Sequence, residues 1–451
     1  MARSLWSVAG ALAIVLVLLL LAIPVWIFWL APGDLEEPTD GDLVAAAVVR
    51  SNGGPVHRTL ALLDRELDGF DQERMYAALE RFREGDFEAA AWVEEQSLRQ
   101  VGLREAVLEI GVSSEGGTPE AEDRDRPEAA IDQRGEGRGS MGLLGLVRVA
   151  SAKALLLERE GRLDEAFELA IYGLRVGRVL SAHPDIALVE MMMSGAVQGV
   201  SVTSVEDLSS RHPISSEKAR FLSSQLAAAK ASPDSWRRMW ANEFLGYRAL
   251  LLQAFEHRTN SKGLVDLGGD GGASLLVRVV PERYLIHRNR TVSAIAADYR
   301  ERRAQTGQDC LSIYSQRPKE TAAFGGLSMH FRPNSVGELL VRIAQPNFDR
   351  FELRRCAVEA KLALAQVFVA ARAYAAAEGE LPESLDLLVP RFITRLPANP
   401  YQGGALAYSK ADRKIVAAVD ELAAVLGAER SSWIAESLSE RSLDWGTAAH
   451  P

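Results

Sequence analysis

The feature that most constrains this chain is an N-terminal stretch without charged residues. No Asp, Glu, Lys or Arg occurs between Arg3 and Asp34, and residues 5–31 are predominantly apolar. About 20 apolar residues cross the hydrocarbon core of a bilayer as a helix, whereas the apolar part of a secretory signal peptide spans about 7–15. The run therefore predicts an uncleaved transmembrane helix, with the lipid bilayer as its partner, rather than a cleaved signal peptide.

The charges that flank this segment predict its orientation. Arg3 precedes it, whereas the other flank carries acids from Asp34 to Asp42 and no Lys or Arg before Arg50. Because Lys and Arg are retained on the cytoplasmic side, residues 1–4 are expected in the cytoplasm. The sequence thus predicts a single-pass protein of the cell inner membrane whose body is periplasmic or otherwise extracytoplasmic.

The amino-acid composition limits the classes of protein to which the chain can belong. Of its 451 residues, 47% are hydrophobic and 25% are charged, as is usual for a globular protein, and the formal net charge is −10. Nucleic-acid binding needs clustered Lys and Arg, so no nucleic acid is expected as a partner. The Arg-rich segment 283–303 is interrupted by acids and is interpreted as a solvated helix face.

Helical periodicity dominates the soluble part. We expect a mainly α fold, in which helical hairpins form an irregular array that precedes a small α+β module at the C-terminus. The predicted regions are a stalk and first helical block (32–111), a flexible linker poor in large apolar residues (112–140), a main helical domain (141–345), a helix with a turn-and-hairpin module (346–420), and a tail (421–451) with one short helix around Trp433. The Gly-rich stretch 263–272 is interpreted as a loop.

Two apolar stripes at helical spacing predict core-facing helices in the main domain. The first comprises Leu163, Ala166, Phe167, Ala170, Ile171 and Leu174, and the second comprises Ile186, Val189, Met193, Ala196, Val197 and Val200. Met191, Met192 and Met193 are interpreted as core-filling residues, because methionine adapts to irregular gaps.

Two short segments, 84–90 and 160–166, share a pattern of glycine, an acidic residue and alanine. Glycine favours the end of one helix, and an acid favours the start of the next. Each segment predicts the helix–helix turn of a generic antiparallel helix pair, and a weak similarity to the turn of tetratricopeptide repeats is the alternative.

The C-terminal region carries the densest pattern. A helical stripe from Leu353 to Tyr374 ends at Gly379, and Ser384 can cap a short helix up to Leu388. The following segments 405–408 and 414–419 are predicted to pair as a β-hairpin.

The run Pro382-x-Ser384-Leu385, Leu396-Pro397-Ala398-Asn399-Pro400-Tyr401 and Tyr408 resembles a segment found in many uncharacterised bacterial single-pass membrane proteins. It is also similar to the region after the long helix of G-like pseudopilins of type II secretion. The resemblance covers about 40 residues and implies a turn followed by strands. The N-terminus lacks the pseudopilin processing site, and Asn399 stands where that class usually has Asp, so no metal site is inferred.

Cys310 and Cys356 are the two cysteines of the chain. In an oxidising compartment they could form a disulfide, worth about 4 kcal/mol from closure of the loop. Two separate buried thiols that pack as small apolar residues are the preferred interpretation, and the disulfide is the alternative.

No motif for catalysis or cofactor binding is present. The chain lacks G-x-S-x-G and H-E-x-x-H, and its seven histidines are scattered. His183 and His212 each precede a proline at a predicted helix boundary, and Asp164 and Glu165 are expected as acids of a first helical turn. No cofactor is expected. The leading hypothesis is a non-catalytic role in binding or scaffolding with another envelope protein. The alternatives are an accessory role in type II secretion or pilus assembly and an extracytoplasmic hydrolase.

Overall fold

The computed structural model describes residues 35–47, 63–67, 70–109, 137–256, 287–316 and 334–426, with residues 36 and 64 excepted. The predicted membrane segment 5–31, the loop 263–272 and the helix around Trp433 lie outside these residues. No helix within the described ranges combines the length and the apolar character needed to cross a membrane.

The prediction of a mainly helical fold with a small hairpin near the C-terminal end is confirmed for the described residues. The helices are α1 (Gly41–Ala46), α2 (Gln72–Arg83), α3 (Ala90–Arg99), α4 (Val101–Glu109), α5 (Gly137–Arg159), α6 (Leu163–Ala170), α7 (Tyr172–Ala182), α8 (Leu188–Arg211), α9 (Ser216–Ala229), α10 (Pro233–Glu256), α11 (Arg288–Gln305), α12 (Cys310–Gln316) and α13 (Ser335–Glu378). A short 3₁₀ helix (Leu385–Leu388) and the strands β1 (Ala407–Ser409) and β2 (Lys414–Val416) follow.

Helix ends follow local chemistry. The carboxylate of Asp71 accepts a hydrogen bond from the backbone N–H of Arg74 at the start of α2, at 2.8 Å. Gly85, Gly161 and Gly379 follow α2, α5 and α13 with positive φ angles, which glycine adopts without a steric cost. The two predicted helix–helix turns therefore lie where the sequence pattern places them.

Helix α8 lies at the centre of the described residues and packs against α5, α6, α7, α10 and α13. Much of its buried face is small or polar, and several of the polar groups are paired, although Oγ of Ser209 has no hydrogen-bond partner among the described residues. Ser194 donates to the carbonyl oxygen of Gly177 at 2.8 Å, and Gln198 donates to that of Ala229 at 2.7 Å. Ser201 accepts the backbone N–H of Gly173 at 2.8 Å, in the first turn of α7, where helix donors have no partner within the helix.

The predicted stripe of α8 is therefore partly wrong. Ile186 and Val197 are buried, but Val189 is 56% exposed and Ala196 is also exposed. Serine and glutamine share the buried face of this helix with leucine, methionine and valine, so hydrophobicity marks it only in part. The other stripe is confirmed, although α6 ends at Ala170 and α7 begins at Tyr172.

An aromatic cluster joins α10, α11 and α13. The ring of Tyr299 lies 5.9 Å from Trp240 and 5.2 Å from Phe348, both edge-on. The guanidinium of Arg302 lies 4.9 Å from the centre of the Phe348 ring and pairs with Asp298 at 2.9 Å. Since the Arg302 side chain is only 4% exposed, the prediction that segment 283–303 is a solvated face is wrong at this residue.

The C-terminal module packs on α13. Strands β1 and β2 pair antiparallel, with Tyr408 opposite Ile415, and the buried Ile415 joins the largest apolar cluster of the described residues. The 3₁₀ helix begins after Ser384, but the Ser384 side chain makes no capping hydrogen bond. Asn399 is 1% exposed, and its amide donates to the carbonyl oxygen of Ala418 at 2.8 Å. A carboxylate at this position could not donate that bond, which gives a structural reason for asparagine here.

Two helices cross the predicted region limits. Helix α5 begins at Gly137, so residues 137–140 of the predicted linker are helical, and residues 112–136 lie outside the described ranges. Helix α13 runs without a break through residues 345 and 346, between which a boundary is predicted. Because this helix contacts α8, α9, α11 and the C-terminal hairpin, it connects the main helical region with the module.

Gly173 allows the close contact between α7 and α8, and Gly173→Ala should lower the free energy of unfolding by about 1–3 kcal/mol, as overpacked core substitutions do. A Cβ atom at residue 173 would lie 2.6 Å from the backbone oxygen of Val197 and 2.5 Å from Oγ of Ser201. Chemical denaturation followed by circular dichroism measures the change.

Gly246→Ala in α10 is the matched control. A Cβ atom there meets no heavy atom within 4 Å, so we expect a gain of about 1 kcal/mol from helix propensity. Equal effects of the two substitutions would contradict the close contact between α7 and α8.

Candidate functional site

The candidate site is an open groove between α8 and α13, with a volume of about 280 Å³. We call it the α8–α13 groove. Its wall from α8 is formed by Met192, Gly195, Ala196, Gln198, Gly199 and Val202, and its wall from α13 by Arg354, Ala357, Val358, Lys361 and Leu362. A smaller cavity of about 30 Å³, the inner pocket, adjoins it, and its additional lining residues are Met191, Ser194, Lys230, Ala231, Trp236, Arg355 and Glu359.

Glycines of α8 set the distance between the two walls. A Cβ atom on Gly195 would lie 2.9 Å from Cγ2 of Val358, so the helices approach closely at this point. One turn later, the ammonium of Lys361 donates to the carbonyl oxygen of Gly199 at 2.7 Å and to Oγ1 of Thr203 at 3.0 Å. The two helices are therefore held together by packing at one level and by hydrogen bonds at the next.

A buried ion network lies behind the α13 wall. The guanidinium of Arg355 pairs with Glu352 at 2.9 Å and with Glu359 at 3.0 Å, and all three side chains are less than 10% exposed. Its third contact is a donated hydrogen bond to the carbonyl oxygen of Gln308, at 3.0 Å. Lys230, at the end of α9, adds an ion pair to Glu359 at 2.8 Å.

Electrostatics keep this network charged. Burial alone lowers the pKa of Arg355, but the neighbouring Glu352 and Glu359 raise it by more, so the net pKa lies above the usual value. A permanently charged guanidinium bonded to two carboxylates and a carbonyl has little freedom to reorient. The network therefore holds the α13 wall in one position relative to α9 and to the loop before α12.

The structure joins Cys310 and Cys356 in a disulfide, with a Cα–Cα distance of 6.4 Å. This spacing lies within the usual range for disulfides. Cys356 follows Arg355 directly, so the covalent link from α12 to α13 lies beside the ion network. The backbone N–H of Cys310 donates to the carbonyl oxygen of Pro400 at 3.1 Å, which ties the C-terminal module to the same region.

The other residues that the sequence analysis considered do not line this groove. His183 and His212 are the C-terminal caps of α7 and α8, as predicted, and pair with Asp185 and Glu158. Asp164 and Glu165 lie in the first turn of α6, also as predicted.

The methionines of α8 differ in how deeply they are buried. Met191 is buried at 3% exposure, as expected of a core residue, whereas Met192 is half-buried and lines the groove.

Sequence reasoning missed the groove and the ion network behind its α13 wall. Glu352, Arg355 and Glu359 share one face of a helix because they are spaced by three and four residues, and this face also carries Cys356. Charged residues at these spacings within an apolar stripe are the signal that could have indicated a buried ion network.

The lining of the groove and the inner pocket is mainly apolar, with a few charged residues. It contains Met, Val, Leu and Trp side chains together with four basic residues and one acidic residue, and neither histidine nor cysteine. Among the described residues, no group of three or more His, Cys, Asp or Glu side chains could hold a metal ion. Apolar walls with a few placed charges are typical of a site that recognises a ligand or partner.

Arg355→Met tests the ion network and should lower the free energy of unfolding by about 3–5 kcal/mol, because it leaves two buried carboxylates without their common partner. Urea denaturation of the oxidised protein measures the change.

Arg354→Met is the matched control, since the Arg354 side chain is exposed and its loss should change the same quantity by less than about 0.5 kcal/mol. If both variants were equally stable, Arg355 would not hold the network together.

In comparisons with known proteins, no family model matches the chain, and no significant match occurs among the curated proteins or the solved structures.

Proposed function

We propose that this chain is a non-catalytic binding protein of the cell envelope, which takes a partner protein into the α8–α13 groove. The observation that carries the proposal is the groove itself, an apolar surface between two helices with basic residues along it. We further propose that residues 5–31 anchor the chain in the inner membrane with its N-terminus in the cytoplasm and its body outside.

The surroundings of the groove suit it to docking. Its walls belong to helices rather than loops, and Lys361, the Arg355 network and the disulfide hold those helices in place. A preorganised surface loses little conformational entropy when a partner binds. Met192 offers an adaptable apolar contact within this rigid frame.

The wider fold is consistent with a scaffold. Helices α2 and α3, and likewise α5 and α6, are joined through a turn that contains a glycine with a positive φ angle. We propose that these pairs belong to an irregular, weakly tetratricopeptide-like array whose outer surfaces hold envelope proteins together.

The disulfide supports an extracytoplasmic body. Disulfides persist in oxidising compartments and are rare in the cytosol. Cys310 and Cys356 are 46 residues apart, so the link is worth about 4 kcal/mol in a chain-entropy estimate. Folding outside the cytoplasm would allow the disulfide to form and so provide this stabilisation.

Thiol labelling after denaturation tests the location. We expect the full chain, taken from cells under acid quench, to remain unlabelled by a maleimide reagent until a reductant is added. A variant lacking residues 1–31 would stay in the cytoplasm and should react at both cysteines without reduction. Immediate labelling of the full chain would contradict the extracytoplasmic location.

Photo-crosslinking in intact cells tests binding in the groove. Ala196 is exposed within the groove, and a benzophenone amino acid at this position should yield a discrete adduct with a partner protein. The same amino acid at Tyr76, which is 51% exposed on α2, should not.

The adduct must also depend on the groove. Met192→Glu introduces a charge into the apolar wall and should abolish the adduct. Val189→Glu is the matched control, because Val189 is exposed on the same helix and does not line the groove. An adduct that survives Met192→Glu, or no adduct at position 196, would count against the proposed function.

A further inference from the structure

The segment that follows the proposed membrane helix is attached to the body along α11. We call residues 35–47 the strap. The side-chain amide of Asn289, in the first turn of α11, donates a hydrogen bond to the carbonyl oxygen of Leu35 at 2.8 Å. One helical turn later, the backbone N–H of Thr39 donates to Oγ of Ser293 at 2.9 Å. The strap therefore starts at the N-terminal end of α11 and runs along this helix in the same direction.

Two ion pairs and one buried side chain hold the strap in place. The guanidinium of Arg248 on α10 lies 2.6 Å from the carboxylate of Asp40, whose side chain is only 6% exposed. The guanidinium of Arg300 on α11 lies 2.6 Å from the carboxylate of Asp42. Leu43 is fully buried and belongs to the same apolar cluster as the aromatic residues of α10 and α11. Because these contacts involve two helices of the body, the strap has a fixed position on it.

The start of the strap is close to the bilayer. The proposed membrane helix ends at residue 31, and Leu35, which is bonded to α11, lies four residues further along the chain. An extended chain covers at most about 3.5 Å per residue, so the N-terminal end of α11 lies within about 14 Å of the point where the membrane helix ends. A small domain is about 30 Å across, so no folded domain can lie between this end and the bilayer.

The N-terminal end of α13 lies at the same end of the body. The side-chain oxygen of Asn334, which precedes α13, accepts the backbone N–H of His287, which precedes α11, at 2.8 Å. Further along the two helices, the rings of Tyr299 and Phe348 are 5.2 Å apart. Helices α11 and α13 therefore run in the same direction, and both begin near the bilayer.

Helix α13 carries the C-terminal module away from that end. Its 44 residues correspond to about 66 Å along the helix axis. The turn between β1 and β2 lies at the far end, since the ammonium of Lys410 pairs with Glu380, just after α13 ends, at 2.9 Å. The formal net charge of −10 opposes broad contact of the body with an anionic lipid surface. Contact through one end is therefore favoured over contact along the length of α13.

We infer that the surface at the N-terminal ends of α11 and α13 lies against the lipid headgroups of the inner membrane, and that the strap holds the body upright on the bilayer. The partner of this surface is the bilayer, because the strap begins so few residues after the membrane helix. The hairpin then lies farthest from the membrane. This inference rests on the proposed function, since it requires the anchor at residues 5–31.

Energy transfer to labelled lipids tests the inference. The full chain is reconstituted into vesicles of phosphatidylethanolamine and phosphatidylglycerol, in which a fraction of the lipid headgroups carries an acceptor dye. A fluorescent amino acid replaces either Ala294, which is exposed on α11, or Ala411, which is exposed between β1 and β2. We expect strong energy transfer to the lipid from position 294 and weak transfer from position 411, because transfer decreases steeply with distance.

A linker insertion tests whether the short connection positions the body. About 20 glycine and serine residues inserted after Gly33 preserve the anchor and the strap but add a mean reach of about 25 Å. We expect energy transfer from position 294 to fall towards the value for position 411. The same linker inserted after Met1, on the other side of the proposed membrane helix, is the matched control and should change neither value. Circular dichroism confirms that both insertion variants are folded.

Four outcomes would overturn the inference while the protein still floats with the vesicles in a density gradient. These are equal transfer from the two positions, stronger transfer from position 411, transfer from position 294 that survives the linker after Gly33, and weak lipid transfer from position 294 with strong transfer between two copies labelled there. The last outcome would assign this end of the body to a second copy. A full chain that does not float with the vesicles would refute the proposed anchor as well.

Discussion

The structure depends on how closely other helices approach α8. Gly173 and Gly177 on α7 face Ser201 and Gln198 on α8, and Gly195 on α8 faces Val358 on α13. Where side chains are this small, backbones come near enough for serine and glutamine to bond to carbonyl oxygens of neighbouring helices. Stabilisation along this surface comes from close packing and satisfied polar groups together. The groove lies along the same contact, since Gly195 and Val358 both line it.

The second constraint is the charge buried in α13. Arg355, Glu352 and Glu359 would be costly inside a protein if any one of them lost its partner, so they require an accurate arrangement of α9, α13 and the loop before α12. The Cys310–Cys356 disulfide joins α12 to α13 at the same level. Rigidity is thus concentrated behind the groove, while the exposed residues of its wall remain available to a partner. This division is consistent with the docking that we propose for the groove.

Agreement between sequence and structure depended on whether hydrophobicity marks the packed face. The stripe through Phe167 and Leu174 was predicted correctly because both residues are apolar and buried. Along α8 the prediction from hydrophobicity was partly wrong, because Ser194 and Gln198 are buried whereas Val189 is exposed. Arg302 shows the same limit, since its charge is compensated by Asp298 and by aromatic rings from distant parts of the chain. None of the groove residues was predicted to line a site, and Met192 and Ala196 were assigned to the core instead, because each gains its role from a helix that is remote in sequence.

By itself, the sequence determined the helical class, the glycine-marked ends of α2, α5 and α13, and the hairpin near the C-terminus. These features are local, since they depend on propensities and φ angles within a few residues. Only the tertiary structure decided that Cys310 meets Cys356, that Arg355 is buried between two glutamates, and that α8 and α13 enclose a groove. Such features join residues up to about 160 positions apart, as the bond from Lys361 to Gly199 does. Their energies depend on burial and distance, which no local pattern encodes.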